Sequence, residues 1–241
     1  MIDNPEIPSI MTIKPVRAGY AEIDESPKRL NQSFGLMGAI WLLGLIGYLT
    51  PLTEWPALWL YVLGSITLVF YRGYGRGEWN EMFMGREGLS KSLKWGGIAG
   101  IFLFVMDITN TWLYYSNGGK PMIEMEMILV GKSLLLLFPL LVLAEEFLWR
   151  GIMFSAMLQQ GYNKHLVVVL TTLFYVVNHF AVAPVGLFER ALMAMMAFPI
   201  GIIGGYIVLR SQNVWGSVLL HMLTMGSMML DIFVIPKLIF G

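Results

Sequence analysis

Three ionisable residues, Glu145, Glu146 and Arg150, sit inside the apolar stretch Leu-Ala-Glu-Glu-Phe-Leu-Trp-Arg-Gly at Leu143 to Gly151. An ionised side chain at the centre of a bilayer-spanning helix costs at least about 2.5–3.5 kcal/mol on insertion scales, so three within two turns require a partner or a wet cavity. Consecutive residues on a helix point about 100° apart, which gives the two glutamates separate tasks. Glu146 precedes Arg150 by four residues, the spacing and order of an acid-to-base ion pair. Glu145 is then the carboxylate left free for general acid–base chemistry. The competing reading is that all three only lock helices together.

The histidines bear on that choice. The chain has three, and His179 and His221 fall inside apolar runs. Measured from the expected helix ends near Gln159, His165 and Ser211 at 1.5 Å per residue, Glu145, His179 and His221 lie roughly 21, 21 and 15 Å deep, so the three can meet in one cavity. His165, at a polar loop, reads as a surface residue. Two histidines and two carboxylates could also ligate zinc, but there is no His-Glu-x-x-His pair and adjacent carboxylates are not expected to point inward together. No metal site is assigned and no cofactor is expected. With no cysteine, disulfides and thiolate chemistry are excluded.

The elements that must position these residues are transmembrane helices. Charged residues make up 13 % and hydrophobic ones 56 % of 241 residues, with a mean hydropathy of +0.66, against about 25 % and 45–50 % in soluble domains. The expected class is all-α, a multipass transmembrane bundle of seven or eight helices. Zero formal charge and the lack of a long basic run argue against nucleic acid. Residues 1–33, polar and with four prolines, read as a mobile tail, and residues 34–241 as the membrane domain. Spans are expected over Phe34 to Leu49, Ala57 to Phe70, Trp95 to Tyr115, Met127 to Leu158, Leu166 to Val182, Ala191 to Leu209 and Val214 to Ile235, the fourth kinked at Pro139.

The basic segments holding Lys14, Arg17, Lys28 and Arg29, and Arg72 to Lys94, flank the first helix pair, which puts both, and the N-terminus, on the cytoplasmic side. Asp107, Asn110 and Thr111 share one face of the third span and read as a polar seam bonded to a neighbouring helix. Gly201 and Gly205 permit close helix packing.

Glu-Glu-x-x-x-Arg at Glu145 to Arg150, aromatic-x-x-x-His at Tyr175 to His179, and His221 following Leu209-Arg-Ser-Gln-Asn-Val-Trp-Gly-Ser-Val-Leu-Leu together resemble the CAAX-protease and bacteriocin-processing family, which includes Abi-type membrane proteins. The resemblance covers about 127–229. It implies a glutamic-type intramembrane endopeptidase acting on a membrane-associated protein or peptide. Glu145 and His179 would activate a water, Glu146 and Arg150 would support them, and His221 would face the oxyanion. The family pattern places an asparagine four residues after that histidine; here the position is Met225, and a thioether donates nothing. Tyr175 stands where phenylalanine is usual. Asn178 is a candidate replacement donor. The alternative of a different class is a scaffold or chaperone of the same fold that holds a partner membrane protein without cutting it, which Met225 favours. An ion-coupled transporter is a third reading, weakened by the lack of a repeated half.

Overall fold

The computed structural model describes residues 24–240, and all of its regular structure is helical. In chain order the helices are α1 (Ser26–Leu49), α2 (Trp55–Arg76), α3 (Leu89–Ser116), α4 (Ile123–Gly131), α5 (Leu134–Gln159), α6 (Lys164–Val182), α7 (Leu187–Ser211), α8 (Trp215–Phe233) and α9 (Ile235–Phe240). Helices α1, α3, α6, α7 and the α8–α9 run are long and apolar enough to cross a membrane, and the bent pair α4–α5 makes a sixth candidate. Large apolar side chains such as Leu45, Phe102 and Leu136 stand exposed, the surface a lipid-facing bundle presents. The protein is a multipass integral membrane protein.

Three boundaries differ from the sequence reading. Helix α1 begins at Ser26, not Phe34, with Pro27 in its first turn, where proline's missing N–H costs nothing. Residues 26–33 are therefore helical; the rest of the expected tail, 1–23, lies outside the described residues. The added turns are held by buried Arg29, which donates to Glu78 at 2.8 Å and to Gln159. Arg72 bonds Glu78 at 3.0 Å and Glu25 at 3.2 Å, which joins the start of α1 to the end of α2. Lys28 and Arg72 together hold the Glu25 carboxyl below the usual carboxylate range.

The second difference is α2, whose tryptophans, tyrosines and glycines dilute its apolar run and leave it outside the span candidates. Third, the sharp break before the Glu145 stretch is not at Pro139. It falls between α4 and α5, which meet at 95° at Ser133, a residue in the left-handed region at φ 56°. Pro139 stays inside a continuous α5.

Helix α5 widens to π geometry over Phe147–Met153, and every side chain from Ala144 to Met157 is buried. Such wide turns tend to occur at functional sites. The helices around it approach closely at glycines. A Cβ on Gly216 would lie 2.1 Å from the Ser92 carbonyl oxygen of α3, and one on Gly201 would lie 2.6 Å from Thr172 of α6. Gly216→Ala is expected to force α3 and α8 apart and cost about 1–3 kcal/mol, read as a lower unfolding midpoint of the purified protein. Gly226→Ala, whose Cβ would meet only Phe104 at 3.7 Å, serves as the control and should leave the midpoint unchanged or raised.

Candidate active site

Helices α5, α6 and α8 bring their polar residues into one cavity of about 430 Å³, lined by Glu145, Tyr175, His179, His221 and Met225 among mostly apolar neighbours. All three deep residues singled out in the sequence thus reach the same space. Glu145 faces it with only 6 % of its surface exposed. Its Oε2 lies 3.4 Å from the Tyr175 hydroxyl and 3.5 Å from His221 Nε2.

The proton positions follow from the partners. His179 Nδ1 stands 2.9 Å from the Tyr175 carbonyl oxygen four residues back, and a carbonyl only accepts. Nδ1 therefore carries a proton, and in the neutral ring Nε2 is the basic nitrogen. His221 Nδ1 lies 2.9 Å from Glu146 Oε1, so that nitrogen donates to the carboxylate, and Nε2 lies 3.2 Å from the Tyr175 hydroxyl. Tyr175 has one phenolic proton to share between Glu145 and His221.

Glu146 points away from the cavity lining, and Ser217 donates to its Oε2 at 2.6 Å. A carboxylate bonded to the far nitrogen of a functional imidazole fixes its orientation and tautomer. Arg150 is Glu146's weaker partner, with Nε 3.7 Å from Oε2. The π turn between them spreads the i, i+4 pair that an α-helix would have stacked, and the Arg150 guanidinium lies instead over the Tyr175 ring, 4.5 Å from its centre. The two consecutive carboxylates have separate surroundings, yet both reach His221, one at each ring nitrogen, because the imidazole lies in the angle between them.

Asn178 is not brought in. One position before His179, it turns toward α1, where its Oδ1 accepts from Trp41 Nε1 at 3.1 Å. It does not line the cavity, and the structure does not bring it to Glu145. Thr224 lines the cavity, but its hydroxyl donates to the His221 carbonyl oxygen at 2.8 Å. Beside Met225, that leaves Tyr175 as the uncommitted hydroxyl next to Glu145. His165 bonds Tyr206 at 2.9 Å on an exposed face. Among the described residues no group of three or more His, Asp or Glu side chains is gathered to hold a metal.

Two contributors escaped the sequence reading. Ser217 stands four residues before His221, on the same helical face, and that spacing was the available signal. Asp231 lines the same cavity with Asp107, a convergence that only the crossing of α3 and α8 creates.

Residues 129–226 match the family described as Type II CAAX prenyl endopeptidase Rce1-like. The matched segment runs from α4 to α8 and includes every polar residue of the cavity's Glu145 end, while α1 to α3 lie outside it. No curated protein and no solved structure matches the chain. Over residues 129–226, then, this multipass membrane protein is similar to the Rce1-like type II CAAX prenyl endopeptidases.

Proposed function

We propose that the chain is an intramembrane endopeptidase that hydrolyses a peptide bond of a membrane-associated protein or peptide, with Glu145 as general base. Glu145 takes a proton from a water that His179 Nε2 helps to orient. The water oxygen attacks the peptide carbonyl carbon, and the oxyanion of the tetrahedral intermediate accepts hydrogen bonds from Tyr175 and from His221 when Nε2 is protonated. Collapse breaks the C–N bond as Glu145 passes its proton to the leaving nitrogen, leaving a carboxylate and an amine. Glu146 and Ser217 hold His221, and Arg150 tempers the negative charge beside them.

The observation that carries this reading is the position of the Tyr175 hydroxyl, 3.4 Å from Glu145 and 3.2 Å from His221. It makes the two departures from the family pattern complementary: a donor is lost at Met225 and a hydroxyl is gained at Tyr175. The cytoplasmic placement of the N-terminal side belongs to the same proposal. The positive-inside rule supports it, as do the Arg29–Glu78 and Arg72–Glu25 bonds that keep the two basic segments on one face.

Purified protein in vesicles should cut a membrane-anchored peptide reporter into two fragments, at a rate that a metal chelator leaves unchanged. Loss of cutting on chelation, restored by zinc, would overturn the glutamic mechanism. Met225 favours the scaffold reading, and a stable membrane-protein partner co-purifying with a chain that cuts no reporter would establish it instead.

A further inference from the structure

The cavity does not end at Glu145. Asp107 and Thr111 of α3 line it as well, together with Asp231 on the stretch of α8 that runs past the family match's end at residue 226. Asp231 is 4 % exposed, and its Oδ1 is buried with no hydrogen-bond partner. Its neighbour Asp107 accepts the Ser227 hydroxyl at 2.7 Å. The expected polar seam is therefore real but incomplete, since one oxygen of Asp231 is left without a partner. None of the residues lining the cavity is lysine or arginine, so no cation of the chain answers either carboxyl from within it. A buried carboxyl oxygen without a partner is costly, and inside a membrane such groups mark substrate or ion paths.

We propose that Asp107 and Asp231 form a cation subsite that receives the ammonium or guanidinium group of a basic residue in the substrate peptide. The inference rests on the reading of this cavity as a peptide site. The unpartnered Asp231 oxygen supplies the acceptor, and the Ser227-bonded Asp107 supplies a second carboxyl group beside it. Met228 and Ile232, on the same stretch of α8 and lining the same cavity, suit the methylene stem of a lysine, which packs on apolar surface while its charged end reaches a polar partner.

The spacing fixes a register. From His221 to Asp231 is ten residues of α8, about 15 Å along the axis, and an extended peptide covers that in about four residues at roughly 3.3–3.6 Å each. The preferred substrate thus carries a basic residue about four positions from the bond that is cut.

The test uses membrane-inserting peptides of apolar sequence in which a single lysine, or in the paired set its neutral counterpart norleucine, occupies each position in turn. Binding is measured to the full chain carrying Glu145→Gln, so that cleavage plays no part. At one register the lysine peptide is expected to bind at least tenfold tighter than its norleucine partner. With Asp107→Asn and Asp231→Asn added, the ratio within that variant should fall to about one; Asp231→Asn alone, should the combined variant not fold, is expected to reduce it severalfold. Equal binding of the two peptide sets at every position would overturn the subsite, and so would a lysine preference that survives the Asn substitutions. Either result would assign the pair to a hydrogen bond between α3 and α8. A lysine preference in a chain that cuts none of the peptides would keep the subsite and remove the protease reading.

Discussion

Tyr175→Phe is expected to lower kcat by about 10²–10³, the effect of removing one preorganised oxyanion donor, with little change in KM. The phenol is buried, its ring is packed under Arg150, and its hydroxyl bonds to Glu145 and His221. Loss of the oxygen therefore removes a donor from the site and leaves the packing of the ring in place. The stability change should be that of one hydrogen bond, about 1 kcal/mol, visible as a small shift in the unfolding midpoint. A merely structural tyrosine would lose stability and keep its rate per folded molecule. The swap can also be reversed. Met225→Asn added to Tyr175→Phe returns a donor one helical turn beyond His221 and should recover part of the lost rate. Equal turnover by the Phe variant and the parent would remove Tyr175 from the mechanism.

Much of the site was readable because intramembrane charge is costly, so each polar residue in an apolar run carries information. Glu145, Glu146, Arg150, His179 and His221 stood out on composition and spacing alone, and helix rise was enough to expect the last two near Glu145. Tyr175 was visible only as a departure from a pattern. Its hydroxyl gains meaning from the meeting of α6 with α5 and α8, a contact between segments at least 30 residues apart. The Glu146–Arg150 pair read from the i, i+4 spacing is present at 3.7 Å; what the spacing did not show is the π geometry from Phe147 on and the closer bonds of Glu146 to His221 and Ser217. Asn178, a candidate donor by its place beside His179, turns to α1 instead, since neighbours on one helix face different partners.

The bundle itself followed from hydropathy, whereas its breaks did not. Proline looks like the natural kink, yet the chain turns by 95° at Ser133, whose backbone takes the left-handed conformation. Helix α1 gained its first turns through Arg29, whose buried bonds to Glu78 and Gln159 link residues distant in sequence. Long-range bonds of that kind leave no periodic trace.

The largest loss is expected at Glu145. Glutamine keeps the shape of the side chain and its bond to Tyr175, but its amide cannot take a proton from water, and a positioned general base contributes about 10²–10⁴ in rate. Removing a partly satisfied buried carboxylate should not unfold the protein, because the heavier bonds of this stretch, from Ser217 and His221, go to Glu146. The direct measurement is the cleavage rate of one membrane-anchored reporter, taken together with the unfolding midpoint, on matched preparations of the parent chain and Glu145→Gln. The expected result is a rate at least a hundredfold lower at an essentially unchanged midpoint; equal rates would contradict the assignment of Glu145 as the base that activates water.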